Sequence, residues 1–439
     1  MAPFSSKAPW PAPDLSGLQR SVTANSAIDW SDRPRRAMRR AMSATEPALP
    51  PPSPLAVPVL MGVVFLSLIG FGVVIPLLPF YAVVFSATAW QVTLMFAVFA
   101  AGQFFGELIW GRLSDRIGRK PVILGTILMA ALGYVALAFA PNIWFAVAAR
   151  AVAGVFSGNI STIQGYIVDV TPPEKLAGRL GLIGSAFGIG FVVGPLLGGL
   201  LARPELGAAG FQPPLLTAAA LCLAGAAGAA VFVRESRGRA AAGAQRPGPL
   251  QALAQTLRDP TLRRLMGGTF LSFAGFSAMW SIFGLWGAAE YGWDPKMIGF
   301  VMALTGVAAA TSQGILAGWA VQKIGERPTV LIGLTVTAIF LFLEALGPPV
   351  TVAIILMIVL VIGHTTSQPA TSSLISRAAP AGRQGETLGA NNASSAAARV
   401  LGPVMAGFLF SGVGTWAPFV LAGVLILPAA VLIGLGERR

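Results

Sequence analysis

Twelve stretches of about twenty apolar residues punctuate this 439-residue chain, and each is long enough to cross a hydrocarbon core of roughly 30 Å. They lie at about 57–80, 91–110, 122–140, 143–167, 178–202 and 214–233. After a polar gap they resume at about 264–288, 297–320, 329–346, 350–373, 388–410 and 416–435. The two-residue alternation of a porin-like barrel is absent, so the pattern predicts an all-α integral membrane protein with twelve transmembrane helices. Composition agrees. Charged residues make up 11% of the chain, against about a quarter in a soluble domain, so the lipid bilayer must cover much of the surface.

The positive residues fix the expected topology. With the amino terminus placed in the cytoplasm, the tail carries 7 Lys and Arg and the loops after even-numbered spans carry 4, 2, 7, 2 and 2. The carboxyl terminus adds 2, so 26 of the 30 fall on one side. Arg203 and Lys296 fall opposite, and Arg150 and Arg399 lie within spans. Short cytoplasmic loops concentrate positive charge, so this partition predicts a multi-pass inner-membrane protein with both termini inside. The net charge of +13 would suggest nucleic acid in a soluble protein. Here the surplus sits beside the membrane, where it sets topology and meets anionic lipid, and no nucleic-acid partner is expected. Cys222 is the single cysteine, which excludes an internal disulfide and a cysteine-based metal site.

Four regions follow. Residues 1–54 read as a disordered basic tail containing the run Arg33 to Arg40. It is either a lipid-touching segment, a solvated tail, or a stretch preceding a true start at Met42. Residues 55–233 and 263–439 form two six-helix halves, and 234–262 is a charged, Pro- and Gly-containing linker loop. The halves repeat. Gly111, Ile117, Gly118 and Pro121 recur 207 residues later as Gly318, Ile324, Gly325 and Pro328. Pro172, Gly181, Gly194, Pro195 and Gly199 recur 208 residues later as Pro380, Gly389, Gly402, Pro403 and Gly407. Parallel repeats of this kind suit secondary transporters that rock one half against the other around a midplane site.

Between spans 2 and 3 stands the string Gly111, Arg112, Leu113, Ser114, Asp115, Arg116, Ile117, Gly118, Arg119, Lys120, Pro121. It places cationic forks and one carboxylate in a tight turn at a membrane face, with Gly111 available for close helix approach. A purely topogenic loop would explain the arginines but not the spacing of Gly and Asp. This string resembles the loop 2–3 signature of the major facilitator superfamily, and the resemblance covers roughly residues 55–436. It implies the major facilitator fold and a cytoplasmic gate in which Asp115 faces the start of span 11 and Arg119 or Arg112 pairs with Asp169. Gln322 stands where the second-half copy would carry its Asp, so the implied latch is one-sided.

Span 5 carries Gly190, Gly194, Pro195, Gly198 and Gly199, small residues that allow close packing around a proline that bends the helix. A packing motif alone would read the same way, but the longer string resembles the superfamily's antiporter signature. Arg150 in span 4 is costly within lipid unless paired or hydrated. It resembles a superfamily arginine near the proton path, or it snorkels to an interface. Candidate proton carriers are Glu107, Asp169 and Glu386, with Arg150 beside them. Glu107 is the deepest of the four carboxylates Glu107, Asp169, Glu290 and Glu344, or else it pairs locally with Arg112 or packs toward headgroups. Gln103, Asn159, Gln164, Trp280, Trp286, Gln313, His364, Gln368, Asn391 and Arg399 are polar or aromatic candidates for a mid-membrane substrate pocket, while His364 reads equally as a satisfied structural partner.

Further strings, beginning at Gly70, Ser185 and Tyr291, resemble the twelve-helix drug:proton antiporters, including tetracycline-resistance pumps. Those pumps carry an acidic residue early in span 1, whereas residues 55–80 hold none. The expectation is a monomeric, proton-driven exporter of a drug-like or metabolite-like small molecule. It needs no cofactor or metal and is not an enzyme, for no phosphate-binding loop or nucleophile constellation is present. The rival is a proton-coupled symporter for a sugar or organic acid.

Overall fold

A computed structural model describes residues 56–236, 254–380 and 383–434. The expected tail at 1–54 and most of the linker lie outside the described residues. Twelve helices order the described chain: α1 (Val57–Phe80), α2 (Ala89–Ile117), α3 (Arg119–Ala138), α4 (Ile143–Val170), α5 (Pro173–Leu201), α6 (Gln212–Phe232), α7 (Pro260–Tyr291), α8 (Pro295–Ile324), α9 (Glu326–Glu344), α10 (Val350–Ala378), α11 (Gln384–Gly412) and α12 (Ala417–Gly434). No strand occurs among the described residues. The outer surface is apolar: Leu132, Phe139, Leu200, Val231, Ile332 and Phe408 are all exposed. A soluble monomer does not expose apolar area on this scale, whereas lipid covers it without cost. The protein is an all-α, multi-pass membrane protein.

Polar caps start several helices. Thr88 and Gln91 form a reciprocal capping box at α2, and Asn142 accepts from the Phe145 amide at α4. Asp259 and Asp294 do the same for α7 and α8. Each side chain satisfies amides that the first helical turn leaves without a partner. Two helices are interrupted: α4 breaks at Gly158 and Asn159, and α8 contains a π turn at Ser312–Leu316.

The two halves pack alike. In the first, α1 packs on α5 and α6, α2 on α4, and α3 on α4 and α6. In the second, α7 packs on α11 and α12, α8 on α10, and α9 on α10 and α12. The second set is the first advanced by six helices. Each half has its own buried apolar cluster, one around Leu77, Ile123 and Phe211 and the other around Phe283, Leu341 and Phe419. Two helix pairs join the halves, α2 with α11 and α5 with α8, and these are also counterparts under the repeat. Gly118 and Gly325, 207 residues apart, both hold positive φ, at 107° and 88°. Only glycine takes that conformation readily, so each gives the same sharp turn into the next helix.

The α2–α4 interface shows how tight this packing is. A methyl group added at Gly106 would overlap the Val155 carbonyl, and one added at Gly154 would overlap the Phe99 carbonyl. Such backbone contacts cannot yield as a flexible side chain would. Gly106→Ala is therefore expected to destabilise by about 1–3 kcal/mol through overpacking, read as a lower melting temperature and lower yield of purified protein. Gly267→Ala on α7, where the space is open, should leave both unchanged. Equal melting temperatures for the two variants would refute this account of the interface.

Candidate functional site

The end of the bundle that carries the α2–α3 turn, here the motif end, is organised around Arg119. This residue opens α3 directly after the Gly118 turn and is itself buried. Its Nη2 lies 3.0 Å from Asp115 Oδ1, its Nε donates to Asp169 Oδ2 at 3.2 Å, and its Nη1 donates to Ser114 Oγ at 2.7 Å. One guanidinium thus ties the end of α2 to the end of α4, using the planar fork that suits arginine to carboxylates. Asp169 also accepts from Ser236 Oγ at 3.2 Å. Gly165 lets this cluster fit, because a methyl group there would meet the Arg119 guanidinium carbon at 2.6 Å. Gly111 packs more loosely, a methyl group there meeting Ser161 Oγ at 3.4 Å, and Arg112 and Arg116 are exposed.

Glu235, just past α6, was not singled out from the sequence. Its two carboxylate oxygens accept from the backbone amides of Arg119 at 2.8 Å and Lys120 at 3.1 Å. These amides belong to the first turn of α3, where a carboxylate is favoured by both hydrogen bonding and the helix dipole. Lys120 Nζ donates back to Ala230 O at 2.7 Å. The available signal was an acidic residue bracketed by Arg234 and Ser236 at the end of span 6.

The second half repeats the clamp with its charges exchanged. Glu326 occupies the position of Arg119 and Arg377 that of Asp169, at the offsets of 207 and 208 already seen. Arg377 Nε stands 3.1 Å from Glu326 Oε1, and Ser373 Oγ donates to the same oxygen.

The α5 string touches two partners at once. Gly194 and Pro195 pack on α1 at Gly72, where an added methyl would meet Pro195 Cδ at 2.9 Å. On another face, Gly199 meets Pro295 and Lys296 of α8, and Gly188 meets Ala310. Pro195 has no amide hydrogen to offer Phe191, four residues earlier. Gly306 of α8 packs beside that carbonyl, an added methyl reaching Phe191 O at 2.9 Å.

At mid-span, Arg150 is buried with its guanidinium carbon 4.1 Å from the Phe99 ring centroid and 6.0 Å from that of Phe71. Cation–π contact stabilises such a charge away from water. It is therefore held in the interior of the first half. Phe71, Phe80, Phe96 and Phe191 are half-buried and pack against the apolar cluster of the second half. From that half, Phe276 stacks on Trp280 and on His364, the latter pair 3.9 Å apart. His364 lies 3.4 Å from Ser272 Oγ and 3.0 Å from Gln368 Nε2, so both ring nitrogens have neighbours.

The remaining pocket candidates scatter. Asn159 is buried and donates to Thr126 Oγ1 of α3 at 2.8 Å. Trp286 is buried among Tyr291, Trp293 and Phe419 in the second half's core. Asn391 is buried, Gln103 is half-buried on α2, and Gln164 and Gln313 are exposed, Gln313 within the π turn. Glu107 and Arg399, on α2 and α11, are within electrostatic reach of each other. The side chain of Glu386 lies outside the described set.

Two repeated six-helix halves, joined along counterpart seams, define a polytopic transporter. Residues 60–287 and 265–438 match the Major Facilitator Superfamily, and the chain belongs to that superfamily. It is 30% identical over 371 residues to the tetracycline resistance protein, class C, of Escherichia coli, an alignment covering 82% of this chain and 90% of that protein. Against multidrug resistance protein 2 of Bacillus subtilis, identity is 23% over 384 residues, covering 86% and 93%. The crystal structure of the nucleoside transporter NupG shares the fold with a TM-score of 0.73 at 13% identity, over 87% of this chain and 100% of that one.

Glu235→Ala removes two charge-assisted contacts to the α3 amino terminus. The expected loss is about 1–3 kcal/mol, seen as a lower melting temperature of the purified protein. Glu235→Gln, which keeps one acceptor oxygen, should fall between Ala and wild type. An unchanged melting temperature in Glu235→Ala would show that the cap contributes nothing to stability.

Proposed function

We propose that this chain is a proton-driven exporter of drug-like or metabolite-like small molecules, working by alternating access between its two halves. The observation that carries the reading is the α5 string Gly190 to Gly199. It resembles the antiporter signature and packs simultaneously on α1 of its own half and on α8 of the other. The relatives named for tetracycline and multidrug resistance support export of amphiphilic compounds. The half-buried aromatic side chains Phe71, Phe191, Phe276 and Trp280 offer stacking surfaces to such compounds. Residues 55–233 and 263–439 are the two moving halves.

The motif end faces the cytoplasm in this reading, because the positive residues concentrate there. The described close contacts between the halves run from the opposite, distal end toward mid-span. There Gly199 meets Pro295, Gly407 meets Trp90 and Thr93, and Trp90 stacks on Phe408. The described arrangement is accordingly assigned to a state sealed on the outer side. The protein sits in a bacterial-type inner membrane as a monomer, with Asp115 and Arg119 at the cytoplasmic gate. Glu107 is the first candidate for the proton.

Expression in a pump-deficient bacterial host should lower accumulation of at least one compound in a panel of planar amphiphiles, and a protonophore should abolish the effect. Asp115→Asn should reduce that efflux several-fold at equal abundance. Uptake into the cell driven by an inward proton gradient would instead establish the symporter. A second measurement tests the motion. Cysteines replacing Gly188 and Ala310, where the added carbon of residue 188 lies 3.2 Å from Ala310 Cβ, should cross-link the halves. Cross-linking should stop transport until a reductant is added; undiminished transport by the cross-linked protein would exclude rocking at this seam.

A further inference from the structure

We infer that Glu107 and Arg399 are a switchable ion pair between the halves, closed when Glu107 is ionised and released when it is protonated. The inference rests on the proton-driven reading above and names the partner that converts protonation into movement.

Placement comes first. The α2–α11 seam is fixed at the distal end, where Gly407 accommodates Trp90 and Thr93. Glu107 follows Thr93 by fourteen residues, which returns it to within about 40° of the same helix face. The neighbouring Gly102 and Gly106 are pressed against α4, so the two faces of α2 have separate duties. Arg399 precedes Gly407 by eight residues. Counted from the distal contact at roughly 1.5 Å per residue, Glu107 lies about 9 Å farther along the seam than Arg399.

Side-chain direction narrows that gap. Helical side chains lean toward the amino terminus of their helix. The two helices run in opposite directions through the bundle, so Arg399 leans toward the motif end and Glu107 leans away from it. Each reaches toward the other. They interact electrostatically, but no ion pair joins them in this arrangement, and Arg399 Nε is buried without a hydrogen-bond partner. A motion that draws the motif ends of α2 and α11 together would complete the pair.

The repeat supplies a control within the molecule. The counterpart seam joins α8 to α5. There Gly314 occupies the position of Glu107 and Phe191 that of Arg399, at the same offsets of 207 and 208. At those two positions that seam carries no charge, so the fold does not require one there. Placing two opposite, half-buried charges in one of two equivalent interfaces is costly unless they interact.

Among the described residues, no other charged side chain competes at this point. On α4, packed against α2, Val155 and Gly158 face this stretch, while Asp169 is clamped to Arg119 and Arg150 sits over Phe99. The charges of α3 are at its first turn, and those of α7 (Arg263, Arg264 and Glu290) stand near its ends. On α2 itself the nearest are Arg112 and Asp115, beyond the next turn toward the motif end.

The test reads the seam directly. In a Cys222→Ala background, Thr93→Cys places a thiol that is buried beneath Gly407 when the distal end is sealed. A membrane-impermeant maleimide reaches it only when that end opens. Labelling should fall several-fold in Glu107→Gln and in Arg399→Gln, because both lose the pair that holds the motif end shut. The double variant should match the single ones. The exchange of Glu107→Arg with Arg399→Glu should restore labelling toward wild type. Lower external pH should reduce labelling in the wild type but not in Glu107→Gln. Additive losses in the double variant, wild-type labelling in Arg399→Gln, or no recovery in a well-folded exchange variant would each overturn the pair. Labelling needs no substrate. A chain that exports nothing yet shows this pattern keeps the pair and loses the exporter, and one that exports normally with additive losses does the reverse.

Discussion

Close approach of helix backbones is the constraint on which the rest of this structure depends. Lipid offers apolar side chains as good an environment as another helix does, so burial alone gives little reason for helices to associate in a bilayer. Association must come from dispersion contacts, and those are maximised where no Cβ holds two backbones apart. Gly102 and Gly106 seat α2 on α4, Gly194 seats α5 on α1, and Gly402 meets Ala274 and Ala278 of α7. The same device operates between the halves. Gly199 meets Pro295 of α8, and its counterpart Gly407 meets Trp90 and Thr93 of α2. One chemical solution therefore builds both the permanent packing within a half and the seams between halves. Fixed and movable interfaces cannot be told apart by residue type alone.

Electrostatics marks the difference. Within each half, an ion pair ties the end of one helix hairpin: Arg119 with Asp169 in the first, and Glu326 with the largely exposed Arg377 in the second. The exchange of sign between the repeats is instructive. A pair interaction is unchanged when both charges are inverted, so two copies can drift to opposite signs while each remains neutral as a unit. The surroundings must then adapt. In the first half, Arg119 also gathers Ser114 and Asp115, while Glu235 caps the same helix start. In the second half, Glu326 itself supplies the negative charge at the start of α9, the sign that the helix dipole favours there. The first copy needs a carboxylate from elsewhere because its own helix begins with Arg119.

Most of the fold was legible in the sequence because spanning a bilayer leaves few choices. Window length counts the helices, and the offset between Gly111 and Gly318 marks the two halves. The α2–α3 string stands out for a similar reason: Gly118 holds a positive φ, and Arg119 pairs with Asp115 and Asp169. The second-half clamp was hidden although its position was already implied. A search for repeated identities cannot see Arg119 become Glu326 and Asp169 become Arg377. Glu235 was hidden because its partners are backbone amides, which every sequence possesses. The interior is harder to read for another reason. A helix buries or exposes a residue according to its facing, and a polar type does not report facing. Asn159 turns to Thr126 and Trp286 joins an aromatic core, while Gln164 and Gln313 are exposed.

The position of α5 then explains why a proline belongs in its glycine string. Pro195 cannot satisfy the Phe191 carbonyl and bends the helix away from a straight course. A straight helix presents one narrow stripe to one partner, but α5 must follow α1 along one face while meeting α8 along another. Gly306 packs beside the freed carbonyl, so the irregular backbone is covered by protein instead of lipid, as the hydrocarbon region demands. Pro403 repeats the arrangement in α11, where the residue whose carbonyl loses its partner is Arg399. In each inter-half seam, one of the two helices thus has a proline-weakened ladder. Such a segment can change its bend at smaller cost than an intact helix can, which suits the two elements that the proposed cycle would need to move.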